Sequence, residues 1–598
     1  MIRLKKMYRL VSLVLVLLLI FTACKASVDQ EPTKDPSPSD QVNESPRPNE
    51  SLELETEVKG LIHVNQVGYR TEDEKIAILV GEYDSFQLVA IEDEKETVVL
   101  NSKIESSPLF DVSTGDLVYK LDFSQVTEPG QYYLSVAGAG RSYPFQIGDN
   151  IYNDLKDALL KFMYYQRCGI ELKEEHAGQW HRPECHTEPG ILLEDNNVTM
   201  DTVGGWHDAG DFGKYTVPAA VTLADMLNSY EMFPTAYSDN INIPESNNGI
   251  PDILDESIYA LDWIIRMQDE KSGGFYHKLS TNNFPGFIMP HRDSSKQYLS
   301  PISPTATGSA VAVLAQASRI LSDYDSEFAG RALAAAEKGW QWLIDNPDAS
   351  GFTNPKGVST GEYGDANSSD ERAWAAVELY RTTGKDQYHD YVKKNYKGGL
   401  KVAGLGWIDN GGFGAISYLF MDQDMQDTDV YDYLKSKYLE EADRIKKYMA
   451  YNGYNVAIRP TEYYWGSNMH VMNRAIFMLV AHLLEENPEY EQIALDQLHY
   501  LLGRNGLSQS YVSGFGSKQI KNPHHRPSGA DNIKEPVPGM VAGGPTKDRE
   551  DNVVKNSIPE DTPPGKAYID AEGSYSTNEV TTYWNSPTLF VATYFCQE

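Results

Sequence analysis

Asp154-Leu155-Lys156-Asp157-Ala158-Leu159-Leu160-Lys161-Phe162-Met163-Tyr164-Tyr165-Gln166-Arg167-Cys168 carries its apolar residues at helical spacing, and the pattern of the whole chain changes there. Upstream, from Gly60 to Gly148, the pattern is β. Short apolar runs such as Lys75-Ile76-Ala77-Ile78-Leu79-Val80 and Gln131-Tyr132-Tyr133-Leu134-Ser135-Val136 are broken by turns at Ser113-Thr114-Gly115-Asp116 and Glu128-Pro129-Gly130. Strands at that spacing predict a small sandwich. Downstream, helical spacing recurs over Asp252–Gln268, Ala306–Ser322, Phe328–Leu343, Asp370–Thr383 (with Gly384 as its cap), Asp429–Tyr448, Val471–Glu485, Glu489–Leu502 and Thr582–Phe595. About a dozen helices joined by long Gly- and Pro-rich loops fit a helical toroid, and the chemically suggestive stretches fall in those loops.

The 598-residue chain has 86 acidic and 52 basic residues, a formal charge of -34, which excludes the basic footprint of a nucleic-acid partner. A soluble protein acting on a neutral ligand fits. The 38 tyrosines and 9 tryptophans supply core or flat platforms for sugar rings. Lys5, Lys6 and Arg9 precede an apolar run, Leu10 to Phe21, too short to span a bilayer and suited to an export signal. The run ends in Phe21-Thr22-Ala23-Cys24, which resembles a lipoprotein cleavage site. Cys24 is therefore expected to carry a lipid that anchors the exported protein to the cell surface, plain secretion being the alternative. The expected segments are a signal over 1–24, a Pro-, Ser- and acid-rich tether over 25–58, a β domain over 59–148 and a helical domain over 150–597.

Three loop motifs carry chemistry. Gly204-Gly205-Trp206-His207-Asp208-Ala209-Gly210-Asp211 sets two carboxylates three residues apart, which perturb one another in a dry pocket. They hold either a metal or a water that they deprotonate. Ser510-Tyr511-Val512-Ser513-Gly514-Phe515-Gly516 leads to Asn522-Pro523-His524-His525-Arg526, a glycine-rich loop offering hydrogen-bond donors. Tyr568-Ile569-Asp570-Ala571-Glu572-Gly573-Ser574-Tyr575-Ser576-Thr577-Asn578-Glu579-Val580 places Glu579 just before a helix among neutral neighbours, which suits a general acid.

In their order and spacing these motifs resemble glycoside hydrolase family 9, the cellulase family. Asn65-Gln66-Val67-Gly68-Tyr69 looks like the opening strand of the immunoglobulin-like domain that precedes one subset of it. The resemblance implies an all-α (α/α)6 barrel behind an all-β immunoglobulin-like sandwich. It implies an inverting endo-β-1,4-glucanase: Asp211 as general base, Asp208 orienting the water, and Glu579 as general acid. His524 and Arg526 would bind glucosyl hydroxyls, His525 on the same loop would also meet substrate, and Asp570 would orient its neighbours. The two working carboxyls of an inverting enzyme lie about 6.5–9.5 Å apart. Tyr363, Trp465 and Tyr575 are the expected aromatic or polar contacts to sugar.

Cys168, Cys185, His186 and His207 have the composition of a tetrahedral zinc site, spaced C-x16-C-H-x20-H; a Cys168–Cys185 disulfide is the alternative in an exported protein. The resemblance favours structural zinc. Cys596 is left over as a free thiol. The loop Thr360-Gly361-Glu362-Tyr363-Gly364-Asp365, with Asp370, Glu371 and Asp409, is dense in oxygen ligands and resembles a family calcium site. The alternative for Asp370 and Glu371 is a helix N-terminus. No organic cofactor is expected, the partner is a β-glucan, and the protein is expected to be a monomer. Two rivals stand beside the endoglucanase: an exo-acting β-glycosidase on cello-oligosaccharides or glucosaminides, and an inactive glycan-binding surface protein.

Overall fold

The computed structural model describes residues 54–597. The expected export signal, Cys24 and most of the expected tether lie outside them. Two antiparallel-rich sheets come first. One runs in the order Ile62–His63, Ile76–Val80, Asp116–Asp122, Leu109–Asp111. The other runs Gly68–Tyr69, Phe145–Ile147, Gly130–Val136, Ser85–Glu92, Lys95–Lys103. Leu79, Leu88, Leu121, Leu134 and Phe145 fill the space between them. The strand Ile76–Val80 is apolar throughout for a reason. Ala77 and Leu79 face the sandwich core, whereas Ile76 and Ile78 join the core of the helical domain. A strand buried on both faces loses the alternation of a half-exposed one.

The helical domain is a double ring. The inner helices are Thr216–Met232, Pro304–Leu321, Ser369–Thr383, Gly411–Leu419, Ser467–Glu485 and Thr582–Tyr594. From Thr216–Met232 to Gly411–Leu419 each packs on the next, Ser467–Glu485 packs on Thr582–Tyr594, and that last helix closes on the first; the outer helix Thr428–Met449 bridges Gly411–Leu419 and Ser467–Glu485. The other outer helices are Asn153–Tyr165, Asp252–Arg266, Ser326–Asp345, Asp386–Gly399 and Pro488–Leu501. Six inner and six outer helices make an (α/α)6 barrel, as the resemblance implied. The helices read from the sequence are present with ends within a few residues, and Gly384 closes its helix in the left-handed conformation at φ 67°.

Helical spacing missed three elements. Thr216–Met232 is buried from Thr216 through Tyr230, so it has no polar face to generate a period. Gly411–Leu419 opens on Gly411, Gly412 and Gly414, poor helix formers held by surrounding contacts. Asp386–Gly399 is mostly polar and buries Tyr388, Val392 and Gly399. A small sheet inside the barrel domain, including Gly190–Leu192, Lys278–Ser280 and Tyr298–Leu299, was also not foreseen.

The two domains join through the Asn65-Gln66 pair. Asn65 Nδ2 donates to Tyr152 Oη at 3.0 Å and meets His499 Nδ1 at 2.9 Å. Gln66 donates from its backbone to Leu502 O (3.0 Å) and from Nε2 to Ser508 O (2.7 Å), and accepts from Lys518 N (2.8 Å). The sandwich is thereby tied to the loop that runs on to His524 and Arg526.

Candidate active site

The chain leaves the helix Asn153–Tyr165 to pair with the first acidic motif. Arg167 bridges Trp206, and His207 N donates to Gln166 O at 2.8 Å. Gln166 Nε2 donates to the carbonyls of His207 (3.1 Å) and Ala209 (3.0 Å). On the other side Thr582 N, at the head of an inner helix, donates to Asp208 O at 2.8 Å. Gly210 fits only as glycine: a Cβ there would lie 2.1 Å from the His524 carbonyl oxygen. Arg526 N donates to Gly210 O at 3.0 Å, so two distant motifs lock through one glycine.

Asp208 and Asp211 are 4% and 5% exposed. Tyr363 Oη donates to Asp208 Oδ2 at 2.5 Å. Asp211 Oδ2 accepts from Gly213 N at 3.0 Å and from Tyr215 Oη at 3.2 Å. Burial pushes both carboxyls up. For Asp211 the Arg526 charge, the Gly213 N–H and Tyr215 oppose that rise. Asp208, with Tyr363 alone against burial and the Asp211 charge adding, stands well above the ordinary range. Burial likewise drives Glu579 well above the usual carboxylate range; the Asp211 charge adds and Arg526 opposes. Glu579 is half-buried, bridged through its backbone to His524, and its carbonyl accepts from Gly543 N at 2.8 Å.

Asp570 organises the loops. It accepts from Lys521 N (2.7 Å), Asn522 N (2.9 Å) and Asn578 Nδ2 (2.8 Å), and the Asn578 carbonyl takes the His524 N–H at 2.8 Å. The expectation that His525 meets substrate is corrected. It is 2% exposed, and its ring nitrogens are taken by Gln166 (3.1 Å) and Ser528 (2.9 Å), so it braces the loop. Tyr363 is a carboxylate partner first, packed in an aromatic group with Tyr215, Trp407 and Tyr583. Trp465 stays 43% exposed, 5.2 Å from the Tyr575 ring and beside Glu579. Sequence reading missed Tyr215, Gln166 and Tyr583; Tyr215, four residues after Asp211, and Tyr583, four after Glu579, lay within range of a local pattern, and Gln166 did not.

Among the described residues three groups have the donors for a cation. Ligand atoms of Cys168, Cys185, His186 and His207 lie within 4.8 Å of one another. Both thiols are free, so the disulfide alternative is not formed. The Cys168–His186 and Cys185–His207 sulfur–nitrogen separations are 3.7 and 3.8 Å. A tetrahedron with ordinary zinc bond lengths has S···N edges of about 3.6 Å. Burial holds His207 down at about 4, in the neutral form a metal takes, and His186 Nε2 faces Asp293 Oδ2 at 3.4 Å. In the second group, Asp365, Asp370 and Glu371, both Glu371 oxygens, Asp365 Oδ2 and the nearby Asn410 Oδ1 are buried without a hydrogen-bond partner. Asp409, expected among these ligands, stands outside the group with its carboxylate on Lys401 Nζ at 3.0 Å. The third group, Asp239, Asp252 and Asp255, was not foreseen because Asp239 comes from a separate loop; Asp252 Oδ1 and Asp255 Oδ2 are orphaned there. Among the described residues no helix is long and apolar enough to cross a membrane.

A family profile described as "Glycosyl hydrolase family 9" matches residues 152–592, and one described as "Cellulase N-terminal ig-like domain" matches residues 57–141. A cellodextrinase of Butyrivibrio fibrisolvens is 34% identical over 545 residues, covering 88% of this chain and 98% of that protein. A xyloglucan-specific endo-beta-1,4-glucanase of Bacteroides ovatus is 35% identical, covering 89% of this chain and 93% of that protein. The solved structure of a single-mutant thermostable endoglucanase from Alicyclobacillus acidocaldarius superposes with a TM-score of 0.83 at 34% identity, covering 90% of this chain and 99% of that one.

Proposed function

The chain belongs to glycosyl hydrolase family 9, and from that membership we propose that it is an endo-β-1,4-glucanase that cleaves cellulose or related β-glucans with inversion. The observation that carries the assignment of roles is the unequal treatment of the carboxyls. Burial drives Glu579 well above the usual carboxylate range, as it does Asp208, whereas the rise of Asp211 is opposed by Arg526, Gly213 and Tyr215, which favour its anion. Pairs of carboxyls driven apart in this way divide into acid and base.

In this reading Asp211 Oδ1, left free by the bonds to Oδ2, takes a proton from the attacking water. Asp208, held by Tyr363, fixes that water from its other side. Glu579 gives its proton to the leaving glycosidic oxygen. His524 and Arg526 bind hydroxyls of the sugar at the cleavage point, and Trp465 with Tyr575 offers an aromatic face beside the acid. Asp570 acts through the loop that carries His524.

Cys168, Cys185, His186 and His207 would hold a structural zinc that braces the loop one peptide bond from Asp208. A zinc with four protein ligands supplies rigidity and no open position. Asp365, Asp370 and Glu371 would hold calcium, whose positive charge answers the buried, unpaired oxygens. The Asp239, Asp252 and Asp255 oxygens have the same chemistry. The amino-terminal segment supports export with a lipid on Cys24.

The cellodextrinase relative favours a second reading, exo-like action on short cello-oligosaccharides. One experiment separates these. The protein is assayed on carboxymethylcellulose, lichenan, xyloglucan and cello-oligosaccharides, with NMR of the anomer first released. A rapid fall in viscosity and initial α-anomer support the endo-acting, inverting enzyme; initial β-anomer overturns the mechanism, and activity confined to short oligosaccharides overturns the endo assignment.

A further inference from the structure

The segment from Thr281 to Ile288 leaves the strand Lys278–Ser280 and arches to the active-site rim. Its base is tied to the loop that carries Tyr363. Ser359 N donates to Asn282 O at 2.8 Å, Ser359 Oγ to Asn283 Oδ1 at 2.9 Å, and the Ser280 and Thr360 hydroxyls meet at 2.8 Å. Its tip is tied to Arg526, whose Nε donates to Pro285 O at 2.8 Å. Phe284 and Phe287 flank that guanidinium, with their ring centres 5.5 and 5.7 Å away. The Phe287 ring also meets the His524 ring edge-on at 5.2 Å.

Both phenylalanines remain 46% and 38% exposed, although each already has a partner on one side. A single exposed apolar ring on a protein surface needs no explanation. Two rings three positions apart, both flanking one cation at the edge of a reaction centre, present more apolar surface than a lone exposed ring. Among the described residues Arg526 Nη1 and Nη2 make no hydrogen bond, while Arg526 as a whole is only 8% exposed. The rim therefore combines an apolar wall with charged donors that are still free. A β-linked glucosyl unit is complementary to this, having C–H faces for the rings and hydroxyl edges for the guanidinium.

We propose that Phe284 and Phe287 are the wall of a glucosyl-binding position lined by Arg526, so that the segment 281–288 sets how many sugar units the cleft engages on that side. The inference rests on the β-glucan reading and adds to it a specificity element outside the catalytic motifs.

The test uses the full-length protein and cello-oligosaccharides from two to six units. In the wild type kcat/KM climbs with each added unit until every position is filled. Phe284→Ala and Phe287→Ala each remove one step of that climb: KM for the longer oligosaccharides rises about tenfold while kcat at saturation moves less than about twofold. Phe284→Tyr and Phe287→Tyr restore the step, and Phe287→Leu, which fills space without a flat face, does not. A chain-length profile identical to wild type in the Ala variants overturns the inference while leaving the β-glucan reading intact. So does a fall in kcat at unchanged KM, which marks the rings as mere packing for Arg526. A wild-type protein inactive on every β-1,4-glucan overturns the function itself, and the inference falls with it.

Discussion

Replacing Tyr215 with phenylalanine removes one hydroxyl and keeps the ring. That hydroxyl donates to Asp211 Oδ2 at 3.2 Å and also accepts the Gly361 N–H at 3.2 Å. A hydrogen bond to a charged group contributes roughly 1.5–3 kcal/mol, and one pKa unit corresponds to about 1.4 kcal/mol. Complete loss of an ideal bond would thus raise the Asp211 pKa by roughly one to two units. The observed bond is longer than a strong charge-assisted one, and the Gly213 N–H at 3.0 Å and the Arg526 charge both remain. The expected rise is therefore about one unit. The sign follows from the role. A general base works ionised, so a higher pKa moves the acid limb of the kcat/KM profile about one unit toward alkaline pH. Below the limb the rate drops about tenfold, and on the plateau it barely changes. The alkaline limb, set by the proton on Glu579, stays in place because Asp211 is ionised there in both proteins. The assay is kcat/KM against pH on a soluble β-glucan, with thermal unfolding alongside. The orphaned Gly361 N–H costs about 1 kcal/mol of stability, a small drop in Tm. An acid limb that does not move refutes Asp211 as the titrating base.

Four further outcomes are expected. Glu579→Gln lowers kcat on β-glucans about 10²–10⁴-fold, and the loss shrinks on aryl glycosides whose leaving group needs no proton, read from initial rates. Gly210→Ala forces its Cβ against the His524 carbonyl, 2.1 Å away, and abolishes activity with a marked fall in Tm. Asp293→Asn weakens zinc retention about 10–100-fold in a competition titration with a chelator, since Asp293 faces the outer nitrogen of His186. Calcium at about 100-fold over its Kd stabilises the wild type by about 2.7 kcal/mol, and Glu371→Gln removes most of that gain in thermal unfolding.

The sequence located the domains because each leaves a local imprint. Alternation and turns mark the sandwich, and amphipathic spacing marks outer helices such as Asp252–Arg266. Inner helices resist that reading. Thr216–Met232 is enclosed on all sides, so its composition reports burial without reporting period. The acidic motif was legible because Asp208, Asp211 and their glycines are neighbours in the chain. Cys168, Cys185, His186 and His207 were legible as the composition of a metal site, while the choice between a metal and a disulfide was not.

By itself the sequence determined which carboxyls and donors were available and where helix replaced strand, since both are matters of residue type and local spacing. Only the tertiary structure decided what surrounds each group. His525 and Arg526 are adjacent in sequence, yet one is sealed against Gln166 and the other opens onto the rim beside Phe284 and Phe287. Asp208 and Asp211 share a motif, yet one answers to Tyr363 and the other to Tyr215, Gly213 and Arg526. A side chain's charge state is set by burial and by the charges and dipoles around it, and here Tyr363 and Arg526 arrive from segments more than a hundred residues away.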